Sequence, residues 1–303
     1  MITLTASDFQ LNTPSVVALG CFDGVHIGHR ALIKEARRAA TKKKLPLTVF
    51  SFSEPPKNFF VKGSVPLLTD KKEKKRLMAS LGVDIFVCVD FSLEIASLTP
   101  EKFFEDIIIS RLCAREVFCG FNYRFGKDAL GDAELLSKLC REKSVGFYSI
   151  PPVLLDGLTV SSSEIRSQLT SGHVAAAAKL LGRYYSVKSE VVIGKQLGRA
   201  LGFPTVNQLI SKESTPLKNG VYRTRTRIGH LIKPSITNVG VRPTVDGHTL
   251  CAETNVFDFD GDLYGRNIRV EFLEFIRPEK KFDSVEQLSK QVQKDIEKAK
   301  NAK

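Results

Sequence analysis

Two histidines, His26 and His29, stand three residues apart in Gly20-Cys21-Phe22-Asp23-Gly24-Val25-His26-Ile27-Gly28-His29, directly after the apolar run Val16–Gly20. Gly20, Gly24 and Gly28 permit a tight turn and a close approach of backbone to a ligand. A strand before this turn and a helix after it would offer an anion unpaired N–H groups and a positive dipole end. Both imidazoles can then face one ligand. A polyphosphate attacked at its α-phosphate suits that arrangement, with catalysis by positioning and charge stabilisation alone. Spacing by itself leaves two surface histidines in a loop as the plain alternative. No G-x-x-x-x-G-K-[ST] occurs, so this is not a Walker P-loop.

Two further segments carry phosphate chemistry. Ser161-Ser162-Ser163-Glu164-Ile165-Arg166 fits a helix start where hydroxyls and N–H groups meet phosphate oxygens and Arg166 grips them bidentately. An ordinary serine N-cap is the alternative. Gly194-Lys195-Gln196-Leu197-Gly198-Arg199-Ala200-Leu201-Gly202-Phe203-Pro204-Thr205-Val206-Asn207 combines Gly194, Gly198 and Gly202 with the cations Lys195 and Arg199. Such a loop can wrap phosphates, though a glycine-rich turn before a strand would read the same. Thr205 and Asn207 are two apart, so on an extended strand both point the same way. Their hydroxyl and amide oxygens are hard ligands suited to Mg²⁺.

These residues need elements to hold them. Across the first 160 or so residues, buried strand-like runs (Ser15–Gly20, Leu45–Phe52, Asp84–Phe91, Glu116–Asn122, Gly146–Val153) alternate with helical stretches (His29–Ala40, Lys71–Leu81, Glu101–Leu112). Thr99 and Pro100 make a start signal for the last helix. Alternation of this kind predicts a doubly wound parallel α/β domain. After the Ala-rich stretch Val174–Gly182 the texture changes. In Gly220–Arg227, Val221, Arg223, Arg225 and Arg227 alternate with Tyr222, Thr224 and Thr226, the sign of a strand with a solvated face. With Ser235–Val239, Thr249–Phe257 and Asn267–Ile276, these short strands predict a small antiparallel β-barrel. A C-terminal helix follows, with Val285, Leu288, Val292 and Ile296 on one face behind a Ser284/Gln287 capping box. The predicted domains are 1–183 and 184–303.

Composition narrows the classes. At 303 residues, 43% hydrophobic and 26% charged, the chain is ordinary globular material. No apolar run approaches a membrane span, and Met1–Gln10 has no apolar secretory core, so a cytoplasmic location is expected. The six cysteines form no C-x-x-C pair and read as reduced, mostly buried thiols. The net charge of +12 (45 cations less 33 anions) points to an anionic partner without choosing among polyphosphates, membranes and nucleic acid. The basic runs Lys42–Lys44 and Lys71–Arg76 and the Lys-rich tail would support a nucleic-acid binder. Glu73 interrupts the second run, the tail mixes both signs, and no aromatic-rich RNA-binding signature is present.

The segment Gly20–His29 resembles the G-x-F-D-G-x-H-x-G-H signature of nucleotidylyltransferases, in the form found in bacterial bifunctional FAD synthetases. Gly120-Phe121-Asn122-Tyr123-Arg124-Phe125-Gly126 resembles their G-x-[DN]-[FY]-x-F-G segment, and Ser161–Arg166 their S-S-[ST]-x-I-R motif. Gly194–Asn207 resembles the G-x-x-x-G-R-x-L-G-F-P-T-A-N signature of riboflavin kinases. Glu253-Thr254-Asn255-Val256-Phe257-Asp258-Phe259 is similar to their E-T-H-[IL]-x-D-F strand. Asp262-Leu263-Tyr264-Gly265 and Asn238-Val239-Gly240-Val241-Arg242-Pro243-Thr244 match two further turns.

By that resemblance, riboflavin and ATP give FMN and ADP in the C-terminal module, and FMN and a second ATP give FAD and pyrophosphate in the N-terminal one. His26 and His29 would stabilise the α-phosphate and leaving pyrophosphate. Ser162, Ser163 and Arg166 would hold the outer phosphates, with Phe22, Asp23 and Asn122 at the nucleotide. Glu253 would be the kinase's general base and Mg²⁺ its metal. The expected partners are riboflavin, FMN, FAD, ATP and pyrophosphate, with no nucleic acid or membrane, for a monomer or weak homo-oligomer. Two departures stand out. Pro55 lies in a segment where the family often has a histidine, and Asn255 lies where histidine is common.

Overall fold

The computed structural model describes residues 1–6, 8–194, 202–244 and 247–301. They form two compact units, Met1–Ser162 and Ser163–Lys303.

In the first unit a six-stranded, wholly parallel sheet has the order β1-β4-β3-β2-β5-β6. Its strands are β1 (Ile2–Leu4), β2 (Ser15–Leu19), β3 (Leu47–Phe52), β4 (Ile85–Val89), β5 (Ala114–Gly120) and β6 (Gly146–Ile150). The five longer ones are those predicted. The short edge strand β1 was not, because three residues without a turn signal leave no period to read. Both faces are covered, and β2 shows how. Val17 and Leu19 enter one apolar core with Phe50 and Val117, while Val16 and Ala18 enter another with Val49 and Phe118. Buried on both sides, such a strand reads as a continuous apolar run rather than an alternating one.

The chain leaves β2 toward β3 on one side and later returns to β5 on the other. That makes the carboxyl end of β2 a topological switch point, where open α/β sheets leave a crevice for ligands. The predicted helix over Glu101–Leu112 exists but changes type. Thr99 accepts from Lys102 N at 3.2 Å and Pro100 opens one α-turn. Phe103–Arg111 then winds as a π-helix. The wider turn puts Phe103, Ile107, Ile108 and Leu112 on one buried side.

The second unit begins at Ser163, within the helix Ser162–Thr170, and the helix Val174–Leu181 follows. A closed antiparallel barrel follows, order β10-β13-β12-β11-β14-β9. Its strands are β9 (Tyr185–Val192), β10 (Val206–Leu209), β11 (Gly220–Ile228), β12 (Leu231–Thr244), β13 (Gly247–Val256) and β14 (Asn267–Arg277). A separate two-stranded hairpin in the first unit pairs β7 (Leu154–Leu155) with β8 (Leu158–Thr159). The alternation in β11 is real: Tyr222, Thr224 and Thr226 are buried, while Arg225 and Arg227 pair outside with Glu271. Inside, hydroxyls satisfy one another. Thr224 bonds Ser235 and Thr237 at 2.8 and 2.9 Å, and Thr237 bonds Thr254 at 2.9 Å.

The C-terminal helix Val285–Asn301 has its cap, Gln287 N donating to Ser284 Oγ at 3.3 Å. Its apolar stripe is weaker than predicted. Val285 is 57% exposed, and the helix buries Asp295 and Ala299 instead. Asp295 takes Arg277 at 2.9 and 2.7 Å, so an ion pair supplies part of the anchorage expected of the stripe.

Candidate functional site

The loop Gly20–His29 sits at the switch point, between β2 and the helix Ile27–Lys43. It is strained: Phe22 and Val25 have φ of 52° and 42°, beside Gly24 at 82°. A β-branched residue at positive φ is a genuine outlier, tolerated where surroundings over-determine it. Three hydrogen bonds do so here. The Asp23 carboxylate accepts from Leu68 N and Thr69 N, each at 3.1 Å, and Thr69 Oγ1 accepts from Gly24 N at 3.2 Å. Phe22 is fully buried, and a side chain at Gly20 would meet its ring at 3.0 Å. Asp23 and Phe22, expected among the nucleotide contacts, therefore face protein and hold the loop's shape.

His26 is the N-cap of the helix, its Nδ1 accepting from His29 N at 3.2 Å. A neutral ring with that bond carries its proton on Nε2. The two imidazoles are stacked, centroids 3.5 Å apart at 17°. They share one place rather than flanking a ligand from two sides. Gly28 makes the stack possible, since a Cβ there would press on the His26 ring at 3.2 Å. His29 Nδ1 is shut away from solvent with no hydrogen-bond partner among the described residues. Burial first, then the neighbouring His26 and Lys74, hold the His29 imidazole well below its ordinary range.

Ser162 joins this loop, its hydroxyl donating to Asp23 O at 2.8 Å. Asn122 is exposed just beyond β5, the strand beside β2. Ser163 and Arg166 belong to the second unit, on the helix that begins at the division.

Lys74 was missed by sequence reasoning. It lies on the helix Lys71–Ser80 and is 1% exposed. Its Nζ donates to Cys21 O at 3.1 Å, Phe52 O at 3.0 Å and Ser53 O at 3.4 Å. Within a basic run it looked like a solvated residue. Its i, i+3, i+4 spacing to Leu77 and Met78 was the available signal.

In the barrel, Glu253 on β13 lies directly opposite Asn207 on β10 and Asn238 on β12. Opposed residues share a face, so the three form one row across three strands. Arg242 Nη2 reaches Glu253 Oε1 at 2.9 Å. Asn207 is 4% exposed and packed against Gly194, where any side chain would collide with its amide. Thr205 stands just before β10. Asn255 Nδ2 donates to Pro204 O at 2.7 Å, fastening β13 to the residue preceding Thr205. Gly202 is exposed at φ 82°. Lys195, Gly198 and Arg199 lie outside the described residues.

All six cysteines are free, with Cys119, Cys140 and Cys251 buried and the other three half-buried. No group of three or more His, Cys, Asp or Glu suited to a metal occurs among the described residues. None of the described helices is long and apolar enough to cross a membrane.

Comparison with known proteins follows the same division. An FAD synthetase family model matches residues 8–164, and a riboflavin kinase model matches residues 181–303. The bifunctional riboflavin kinase/FMN adenylyltransferase of Escherichia coli K12 is 36% identical over 282 residues, covering 92% of this chain and 90% of the relative. The protein of the same name from Listeria monocytogenes is 34% identical over 288 residues, covering 92% and 90%. A crystal structure from Streptococcus pneumoniae, described as a macrolide-efflux protein, is 34% identical with a TM-score of 0.92 and full coverage of both chains. That description and the curated relatives' names disagree. Both family models side with the relatives, and on these matches the chain belongs to the bifunctional riboflavin kinase/FMN adenylyltransferase family.

Proposed function

We propose that the chain makes FAD in two steps at two separate sites: a riboflavin kinase in 184–303 and an FMN adenylyltransferase in 1–183. The observation that carries this reading is that each matched region holds its own phosphate chemistry. One is the capped histidine stack at the switch point; the other is the Asn207–Glu253 row on the barrel.

In the kinase step Glu253 takes the proton of the ribityl 5′-hydroxyl as that oxygen attacks the γ-phosphorus of ATP, and ADP leaves. Arg242 holds the carboxylate's direction. Gly194, Lys195, Gly198, Arg199 and Gly202 belong to the loop that covers the phosphates. Thr205 and the buried Asn207 are a donor set of one hydroxyl and one amide oxygen, which fits Mg²⁺ because that ion keeps waters and borrows phosphate oxygens. Bound there, it would neutralise charge on ATP. In the adenylyl step a phosphate oxygen of FMN attacks the α-phosphorus of ATP and pyrophosphate leaves. His26 and His29 donate to oxygens of the reacting phosphates, and Ser162, Ser163 and Arg166 grip the outer ones. Gly20, Gly24 and Gly28 allow the approach, and Asn122 meets the nucleotide.

The enzyme acts in the cytoplasm as a monomer or weak homo-oligomer, without nucleic acid or membrane. The unpaired cysteines are consistent with a reducing compartment. Purified protein incubated with riboflavin, ATP and Mg²⁺, with flavins separated over time, tests the reading. FMN should rise first and then give way to FAD. FMN alone would remove the adenylyl site and turn attention to Pro55. FAD formed only from added FMN would remove the kinase and turn it to Asn255.

A further inference from the structure

Asn255 has no part in the kinase chemistry described above, yet its side chain ends at the segment that carries it. It lies on β13, two residues beyond Glu253 and so on the same face. Its Nδ2 donates to the Pro204 carbonyl at 2.7 Å, across 51 residues of sequence. The backbone ladder between β10 and β13 stops just short of this point. Val206 opposite Thr254 is its last pair, and Thr205 and Pro204 lie outside the strand. The Asn255 amide therefore carries the pairing of the two segments past the end of the ladder, by a side chain in place of a backbone group.

That bond sets the approach to Thr205. Proline fixes its own φ at about −65°, and an anchored carbonyl leaves little freedom in ψ, so the plane of the Pro204–Thr205 peptide is held. Thr205 and Asn207 share a face only while the backbone stays extended through Thr205. The β-branched threonine has few χ1 positions for a given backbone. Among the described residues its hydroxyl has no hydrogen bond of its own, so its direction comes from the backbone. Asn207 needs no such help, being buried and paired within the ladder opposite Glu253.

We propose that Asn255 is a positioning residue of the kinase: its amide holds the Pro204 carbonyl, so that Thr205 presents its hydroxyl beside Asn207 as a hard donor for Mg²⁺. The inference rests on the donor roles given above to Thr205 and Asn207.

The test reads the metal requirement of the kinase and the segment itself, in the full-length protein. Asn255→Ala removes the amide, and Asn255→Leu keeps its shape without a donor. Asn255→His restores a donor, since Nδ1 stands two bonds from Cβ as Nδ2 does. Half-saturating Mg²⁺ for FMN formation from riboflavin should rise about fivefold in the alanine and leucine variants, the loss of one ordinary hydrogen bond. Their kcat at saturating metal should stay within twofold of the parent, and the histidine variant should return the requirement to near the parent's. In metal-free protein, hydrogen–deuterium exchange over residues 203–209 should quicken in Asn255→Ala and not in Asn255→His. If Asn255 acts through Thr205, the double variant Thr205→Val/Asn255→Ala should need no more metal than Thr205→Val alone. An unchanged requirement in Asn255→Ala while Thr205→Val raises it, additive losses in the double variant, or no rescue by histidine overturns the proposal. An unchanged requirement in Thr205→Val would instead contradict the donor role of Thr205. Asn255→Leu is read alone if the alanine variant does not fold.

Discussion

Replacing Asp23 by alanine should loosen the adenylyl-transfer loop and leave the kinase alone. The carboxylate is 3% exposed. It accepts from the backbone N–H groups of Leu68 and Thr69 at 3.1 Å and from the Thr69 hydroxyl at 3.3 Å. Alanine orphans two buried backbone donors, each worth about 1–3 kcal/mol when left unsatisfied. The same change frees a loop already strained at Phe22 and Val25, so water entry recovers part of the loss. A net opening cost of about 2–4 kcal/mol remains, which is roughly 30- to 1,000-fold in an opening equilibrium. Hydrogen–deuterium exchange reads this locally and needs no two-state assumption for a two-unit chain. The amides of Leu68 and Thr69 should exchange faster by that factor in Asp23→Ala and by less in Asp23→Asn, which keeps one acceptor oxygen. FAD formation from FMN should fall at least tenfold, with FMN formation from riboflavin within twofold. Exchange at Leu68 and Thr69 within threefold of the parent, with unchanged FAD formation, would refute the anchoring role.

Gly194→Ala should depress the kinase alone, raising its apparent Mg²⁺ requirement, because the added methyl collides with the Asn207 amide; metal titrations of both activities check this. Asp295→Ala leaves half-buried Arg277 without its bidentate carboxylate, at a cost of about 1–3 kcal/mol. Limited proteolysis should then cut within Val285–Asn301, while the parent resists. Burial pushes the Cys119 and Cys140 thiols up to about 12, so both stay protonated far above pH 8 and unreactive as nucleophiles. An alkylating reagent at pH 8 should leave these two unmodified until urea is added, as peptide mapping would show.

Much of this was legible because local signals agreed with the fold. The five long strands of the parallel sheet are apolar runs buried on both faces, and Gly20–His29 lies where a βα turn at a switch point must lie. The alternation in Gly220–Arg227 marked the inner and outer faces of the barrel correctly. What escaped depends on tertiary surroundings. Val285 looks like the start of an apolar stripe, yet the helix is tied by Asp295, whose partner Arg277 is 18 residues away. That the Asp23 carboxylate bonds Leu68 N and Thr69 N and that Phe22 is buried was not legible, since a motif shows which residues matter and not which way they face. Lys74 hid in a basic run, because no one-dimensional pattern says that carbonyls of Cys21, Phe52 and Ser53, from two distant parts of the chain, converge on its ammonium. The π-turns over Phe103–Arg111 likewise reflect packing, as an α-period fits that apolar pattern almost as well.

The separation of the two sites is tested most directly by complementation. Glu253→Ala and the double variant His29→Ala/Arg166→Ala are assayed alone and then mixed, with riboflavin, ATP and Mg²⁺. Alone, the first should make no FMN from riboflavin yet convert added FMN to FAD, and the second should accumulate FMN and stop. Mixed, they should restore FAD formation from riboflavin. Loss of both activities in either folded variant, or a mixture that yields no FAD, would contradict two independent sites on one chain.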